Sequence, residues 1–232
     1  MSPPPSSSPT EAVLLDLDGT LVASREGIVG GLHRALRDLG HEPDPAQDLT
    51  WVVGPPLHDI LRRLLAERGD DRVALGIERY RHHYERDGMF DSPLFPDIDA
   101  AVRAIADAGR QLFLATSKPL HVAQRIVEVR GLRPLFTALY GARPDDSGAE
   151  KPELIARLIH EQRLDPGRAV MVGDRRFDIT GAHANGVRAV GVLWGYGGRE
   201  ELEQAGADAL AAAVSDLPAL VTAQLAAAQH AA

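Results

Sequence analysis

Five short apolar runs, at residues 12–15, 111–116, 138–140, 169–172 and 187–193, constrain this chain more than any other feature. Each is too short for a helix and too uniformly apolar for a half-exposed strand, so each reads as a strand buried on both faces. Stretches of helical periodicity lie between them, at 97–108, 119–129, 152–162 and 179–185. Strand–helix alternation with short links predicts an α/β protein: a parallel sheet with helices on both faces. Gly109, Gly131 and Gly186 stand just past predicted helix ends, where a left-handed cap is expected. The segment 25–91 breaks the rhythm. It holds no buried strand, and its apolar residues (Ile28, Leu32, Leu36, then Leu57, Ile60, Leu61, Leu64) recur at helical spacing. A small helical unit inserted after the first strand is the expectation. The Ala-rich end, 209–213 and 225–232, reads as a fraying helix without site chemistry.

The remaining composition excludes whole classes. There is no cysteine, so disulfides, thiolate metal sites and a Cys nucleophile are absent, as suits a reducing, cytoplasmic setting. A formal charge of −8 argues against binding to nucleic-acid backbones. No apolar run approaches the ~20 residues that cross a bilayer. Residues 1–10 (MSPPPSSSPT) lack the basic start and apolar core of a secretory signal and read as a disordered tail. A monomer or homodimer is expected.

In open parallel sheets, ligands bind beyond the C-terminal ends of the strands. The polar residues there should therefore form one coherent set. The first strand runs into Asp16-Leu17-Asp18-Gly19-Thr20, the second into Thr116-Ser117-Lys118-Pro119, and the fourth into Gly173-Asp174 with Asp178 beyond. Asp16, Asp18 and Asp174 converge at one sheet edge, where three carboxylates repel one another unless a hard cation sits among them. A calcium loop of the EF-hand type fails, since its required sixth-position glycine, counted from Asp16, is Leu21. Of 25 basic residues only Lys118 and Lys151 are lysine, and each precedes a proline that opens a helix. A cation at a helix N-terminus opposes the dipole, and a bound anion repairs the conflict. Lys151 is read as such a phosphate anchor, with Thr116 and the acids beside it. Lys118 is read as a solvent-screened lysine. A divalent cation, a phosphate site and a free carboxylate together describe phosphoryl transfer, in which one Asp attacks phosphorus and another shuttles the proton.

This residue set resembles the haloacid dehalogenase superfamily of phosphatases. Asp16-x-Asp18-Gly19-Thr20, Thr116, Lys151 and Gly173-Asp174-x-x-x-Asp178 match its four motifs in order, from residue 16 to residue 178. Gly54-Pro55-Pro56-Leu57, Thr116-Ser117-Lys118-Pro119 and Trp194-Gly195-Tyr196-Gly197 are similar to its phosphoglycolate phosphatase and 5′-nucleotidase-like group. The resemblance implies a Rossmann-like catalytic core at 11–22 and 94–232 and a helical cap at 23–93. It implies a Mg²⁺-dependent phosphatase of a small phosphomonoester, acting through an aspartyl-phosphate. Asp16 is then nucleophile and metal ligand, Asp18 acid/base and metal ligand through its carbonyl, and Asp174 a metal ligand. Gly19, Thr116, Ser117 and Lys151 hold the phosphoryl group, and Asp178 stands behind the metal ligands. Gly54, His58 and Arg25 are candidate cap contacts to substrate. Two positions depart from the family pattern: Ala23, where an acid is common, and His58, where arginine is common. The absence of lysine before residue 118 disfavours relatives that use a cap lysine, and Asp18 disfavours dehalogenases. The runner-up readings are a 5′-nucleotidase, a phosphatase of a specialised biosynthetic intermediate, and a catalytically silent binder of a phosphometabolite. Zinc is disfavoured, since His82-His83 share no helix face and no His-Glu-x-x-His occurs. The glycine-rich turn at 195–198 borders the site mouth at most, and Trp51, Tyr80 and Tyr84 are expected in the cap core.

Overall fold

The computed structural model describes residues 10–143, 145 and 147–229, with side chains to residue 227. The expected disordered tail, residues 1–10, falls almost wholly outside this range. Six parallel strands form one sheet in the order β3-β2-β1-β4-β5-β6. They are β1 (Ala12–Leu15), β2 (Gln111–Pro119), β3 (Ala138–Ala142), β4 (Ala169–Gly173), β5 (Arg188–Val192) and β6 (Ala209–Ala211). All five predicted strands are present within one to three residues at each end.

The period of two explains why the runs are apolar throughout. Val13, Leu15, Leu112, Leu114, Val170 and Val172 point into one core, while Ala12, Leu14, Phe113 and Met171 point into the other. The first core is covered by α4 (Ile98–Asp107), α5 (Leu120–Val129) and α9 (Leu217–Gln229), which supply Ile98, Val102, Ile126, Leu217 and Val221. The second is covered by α6 (Lys151–Gln162) and α7 (Arg176–His183), through Leu154, Ile155 and Ile179. The short α8 (Arg199–Gln204) adds Leu202. Gly109, Gly131 and Gly186 all take positive φ, as the cap reading requires.

Between β1 and β2 lie α1 (Arg25–Asp38), α2 (Leu57–Ala66) and α3 (Val73–Arg86). No strand occurs among them. Their apolar faces, carrying Leu32, Leu61, Leu64 and Tyr80, join the same core that covers the sheet.

One expectation is corrected. Residues 209–211 are not helix end but an edge strand paired in parallel with β5. Alanine's helix preference is a weak prior; here the unpaired edge of β5 decides, with Ala211 accepting the Leu193 amide at 3.0 Å.

Candidate active site

The chain winds from β1 outward through β2 to β3, then returns to the far side of β1 for β4. The order therefore reverses between β1 and β4, and the crevice opens beyond their C-terminal ends. Leu15 and Val172 are register partners, so the residues that follow them emerge side by side. The Asp16 amide bonds the Val172 carbonyl at 3.0 Å, locking the two exits together.

Asp16, Asp174 and Asp178 are buried and present carboxylate oxygens within 4.8 Å of one another. Lys151, the first residue of α6, reaches this cluster from below. Its ammonium donates to Asp16 Oδ1 at 2.7 Å and to the Ala115 carbonyl at 2.7 Å, and lies 2.6 Å from Asp178 Oδ1. One ammonium thus contacts two of the three acids. Burial, opposed by Lys151 and reinforced by Asp178, pushes the Asp16 carboxyl up to about 7. Burial, then Asp178 and Asp16, raises Asp174 well above the usual carboxylate range. Hard oxygen donors with excess negative charge fit a small divalent cation, which would relieve both effects.

Asp174 is held by the glycine-rich turn at 195–198. The Tyr196 amide donates to Asp174 Oδ2 at 2.7 Å. Gly19 (φ +83°) and Gly195 both press against the Asp174 carboxylate so closely that a Cβ at either would collide with it. The turn at 195–198 therefore packs onto the acid, not merely near it. Trp194 Nε1 donates to the Thr20 carbonyl at 3.0 Å, which ties the same loop to the first motif. The Gly19 amide is committed to the Val22 carbonyl at 2.9 Å, so Gly19 shapes this turn and permits close approach.

Asp18 does not join the acid cluster through its carboxylate. Its Oδ2 lies 3.0 Å from Lys118 Nζ, while Oδ1 is buried with no hydrogen-bond partner. Lys118 is the clearest departure from expectation. It is buried, donates to Tyr84 Oη at 2.9 Å and sits 4.5 Å above the Tyr84 ring. Burial disfavours its charge, yet Asp18 and the two tyrosines outweigh that and hold its pKa above the ordinary lysine value. A screened surface lysine is thereby replaced by a paired, buried one.

Thr116, Ser117 and Lys118 occupy an irregular stretch of β2, where the register with β3 slips between Ala115 and Pro119. Such bulges re-aim side chains. Thr116 Oγ1 accepts the Lys118 amide at 3.3 Å, and Ser117 Oγ donates to the Ala149 carbonyl at 2.7 Å. Asp178, four residues beyond Asp174 on α7, accepts the Arg175 amide at 3.1 Å while it pairs with Lys151. It belongs spatially with Asp16 and Asp174.

A cavity of about 130 Å³ connects these groups with the helical insertion. Gly54 and His58 line it. Arg25 does not; its guanidinium bonds Glu26 and Thr50. Arg175, next to Asp174, bridges the two parts, donating to the Val53 carbonyl and to Glu201 Oε1. Tyr80 and Tyr84 stack with centroids 5.3 Å apart and are buried, as expected of insertion core. Trp51 is half-buried with Arg63 across its ring at 4.1 Å.

Among the described residues no helix is long and apolar enough to cross a membrane. The chain matches the model of the haloacid dehalogenase-like hydrolase family over residues 13–192. It is 39% identical over 196 residues to the tyrosine-protein kinase PtkA of Mycobacterium tuberculosis, covering 82% of this chain but 66% of that longer protein. It is 36% identical to a 5′-nucleotidase of Pseudomonas aeruginosa, over 82% of this chain and 86% of that one. A plasmid-borne phosphoglycolate phosphatase of Cupriavidus necator is 32% identical, over 93% of this chain and 95% of that one. The crystal structure of a predicted phosphatase from Clostridium acetobutylicum superposes with a TM-score of 0.86 at 31% identity, covering 93% of this chain and all of that one. With the four motifs gathered at the β1/β4 crevice, this chain is a member of the haloacid dehalogenase-like hydrolase family.

Proposed function

We propose that the protein is a Mg²⁺-dependent phosphomonoester hydrolase that works through an aspartyl-phosphate on Asp16, phosphoglycolate phosphatase-like in its chemistry. The observation that carries this reading is the pairing of two differently placed acids. Asp16 lies in the buried cluster with Lys151, and Asp18 has one oxygen neutralised by Lys118 and the other without a partner. A binder of phosphate has use for the first acid and none for the second.

In this mechanism an Asp16 oxygen attacks phosphorus and the ester P–O bond breaks. Asp18 gives its proton to the departing alcohol oxygen. Water then attacks the phosphorus of the acyl phosphate while Asp18 takes a proton from it, returning free Asp16 and phosphate. Asp16 loses its negative charge on phosphorylation, which frees the Lys151 ammonium to turn to the phosphoryl oxygens beside Thr116. Asp16, Asp174 and the Asp18 carbonyl would hold Mg²⁺, whose charge offsets that on the transferring phosphoryl group. Asp178 keeps Lys151 in place. Residues 23–93 form a cap that closes over the substrate and excludes bulk water.

The test is phosphate release from a panel of phosphomonoesters that includes phosphoglycolate and nucleoside monophosphates. Release is expected to require Mg²⁺ and to vanish on chelation. Release indifferent to the metal, or none from any ester by folded protein with Mg²⁺ bound, counts against the reading. The kinase name of the mycobacterial relatives makes nucleotide-dependent transfer to a protein the second outcome to look for.

The acids also predict a pH dependence of metal binding. Asp16 titrates near 7 in the folded chain and near 3.8 when unfolded. The metal-free fold therefore binds the extra proton between those values, and its stability falls as pH rises through them. A divalent cation competes with that proton. The rise in Tm on adding Mg²⁺ is expected to be small near pH 5 and to grow toward pH 7.5, measured by differential scanning calorimetry. An equal rise at both pH values speaks against binding at this cluster.

A further inference from the structure

We infer that the leaving group is a small, uncharged, apolar alcohol rather than a second anion or a nucleoside; this rests on the hydrolase reading above but parts from phosphoglycolate, whose carboxylate is a second anion. The residues that line the cavity fall into two chemical sets. One is polar and includes Asp16, Thr116 and Lys151. The other is apolar and includes Pro55, Leu57, Ile60, Val122 and Phe177. A carboxylate bound against the apolar set needs a cation, and each cation that lines the cavity already faces a partner. Lys151 donates to Asp16 and to the Ala115 carbonyl and lies 2.6 Å from Asp178 Oδ1. Lys118 pairs with Asp18 and donates to Tyr84 Oη. Arg175 donates to Glu201 and to the Val53 carbonyl. Arg81 has a partner of its own, and His58 is exposed with Nδ1 3.5 Å from Asp59. The remaining charges on the lining, Glu85 among them, are acidic and repel an anion.

Burying a carboxylate without a partner is costly, whereas an apolar group gains from leaving water. Size points the same way. A free volume of about 130 Å³, no larger than the ~150 Å³ apolar cavities that admit a single benzene ring, has to take the phosphoryl group as well. A base plus ribose exceeds what is left. The lining therefore suits a small group beyond the phosphoryl group. Leu57, half-buried at the first position of α2, is the specificity-determining residue that faces this group.

The experiment compares kcat/KM, with Mg²⁺, for benzyl and n-butyl phosphate against phosphoglycolate and adenosine monophosphate. All four leave as alcohols of broadly similar basicity, so differences report binding of the leaving group. The expected preference for the apolar esters is on the order of 100-fold. Leu57→Arg is expected to cost benzyl phosphate tenfold or more while phosphoglycolate turnover rises. His58→Arg, at an exposed position that tolerates the change, is expected to shift the ratio the same way more weakly, which covers the case in which Leu57→Arg does not fold. Asp16→Asn separates the two levels of the argument. Activity that depends on Asp16 but favours phosphoglycolate or the nucleotide overturns the apolar assignment and leaves the hydrolase reading intact. Equal effects of Leu57→Arg and His58→Arg on all four esters also overturn it. Absence of any Asp16-dependent release overturns both.

Discussion

Replacement of Asp16 by asparagine is expected to lower kcat by about 10⁴-fold or more, the scale seen when a covalent nucleophile is removed. The change is nearly isosteric, so the loss should not come from unfolding. Asp16 sits among Asp174 and Asp178 with a single ammonium shared between them, and burial disfavours its ionised form. Removing its charge relieves repulsion as much as it weakens the bond to Lys151. The melting temperature of metal-free protein should therefore stay level or rise at pH 7, while turnover disappears. Acid quench during turnover should trap phosphate on the wild-type chain and none on the variant. Turnover within tenfold of wild type would dismiss Asp16 as nucleophile. A comparable loss of kcat accompanied by a large fall in Tm would instead make Asp16 a structural residue.

Why Asp16 was readable from sequence, and Lys118 was not, follows from where each residue's partners lie. Asp16 and Asp174 directly follow buried strands, and parallel pairing of β1 with β4 brings their exits together without help from any side chain. Lys151 stood out because the chain has only two lysines, and it occupies a helix start that rejects a cation lacking an anion. The same local argument applied to Lys118 yields a screened surface residue. Its partner Tyr84 comes from α3, in the inserted segment, and no spacing rule connects positions 84 and 118. Burial by a distant element changes the sign of the conclusion. The Gly195-Tyr196 turn was under-read for a related reason. Its work is done by a backbone amide and by a missing Cβ against Asp174, and neither leaves a chemical signature in residue type. Asp178 reads in sequence as standing behind the metal ligands, and one turn of α7 brings its carboxylate in among them. β6 shows the opposite failure. Alanine favours helix locally, but 209–211 lies where β5 has an open edge, and long-range pairing outweighs propensity.

Lys151→Met is expected to damage both the fold and the chemistry, and pH separates the two. The side chain is buried and carries the compensating charge for Asp16 and Asp178, whose oxygens lie 2.7 and 2.6 Å away. Taking one partner from a buried ion pair typically costs 3–5 kcal/mol, because the other charges stay behind uncompensated. For a chain of this size that corresponds to a fall in Tm of roughly 10 °C at pH 7. The sign of the pH effect follows from the acids that remain. Without the ammonium the Asp16 carboxyl is pushed further above its unfolded value, so the folded variant keeps a proton that the unfolded chain releases. Stability is then lost as pH climbs from about 4 toward 7 and is recovered as pH falls. The Tm deficit against wild type should accordingly shrink near pH 5, and shrink again at pH 7 when Mg²⁺ supplies positive charge to the same carboxylates. Turnover should not follow that recovery: with the fold restored by Mg²⁺, the phosphoryl oxygens still lack the ammonium that Asp16 hands over on phosphorylation. Equal Tm deficits at pH 5 and pH 7, with or without the metal, would mean that Lys151 stabilises through packing against Gly181 on α7, not through charge. Turnover restored together with Tm would remove Lys151 from the chemistry and leave it a structural counter-ion.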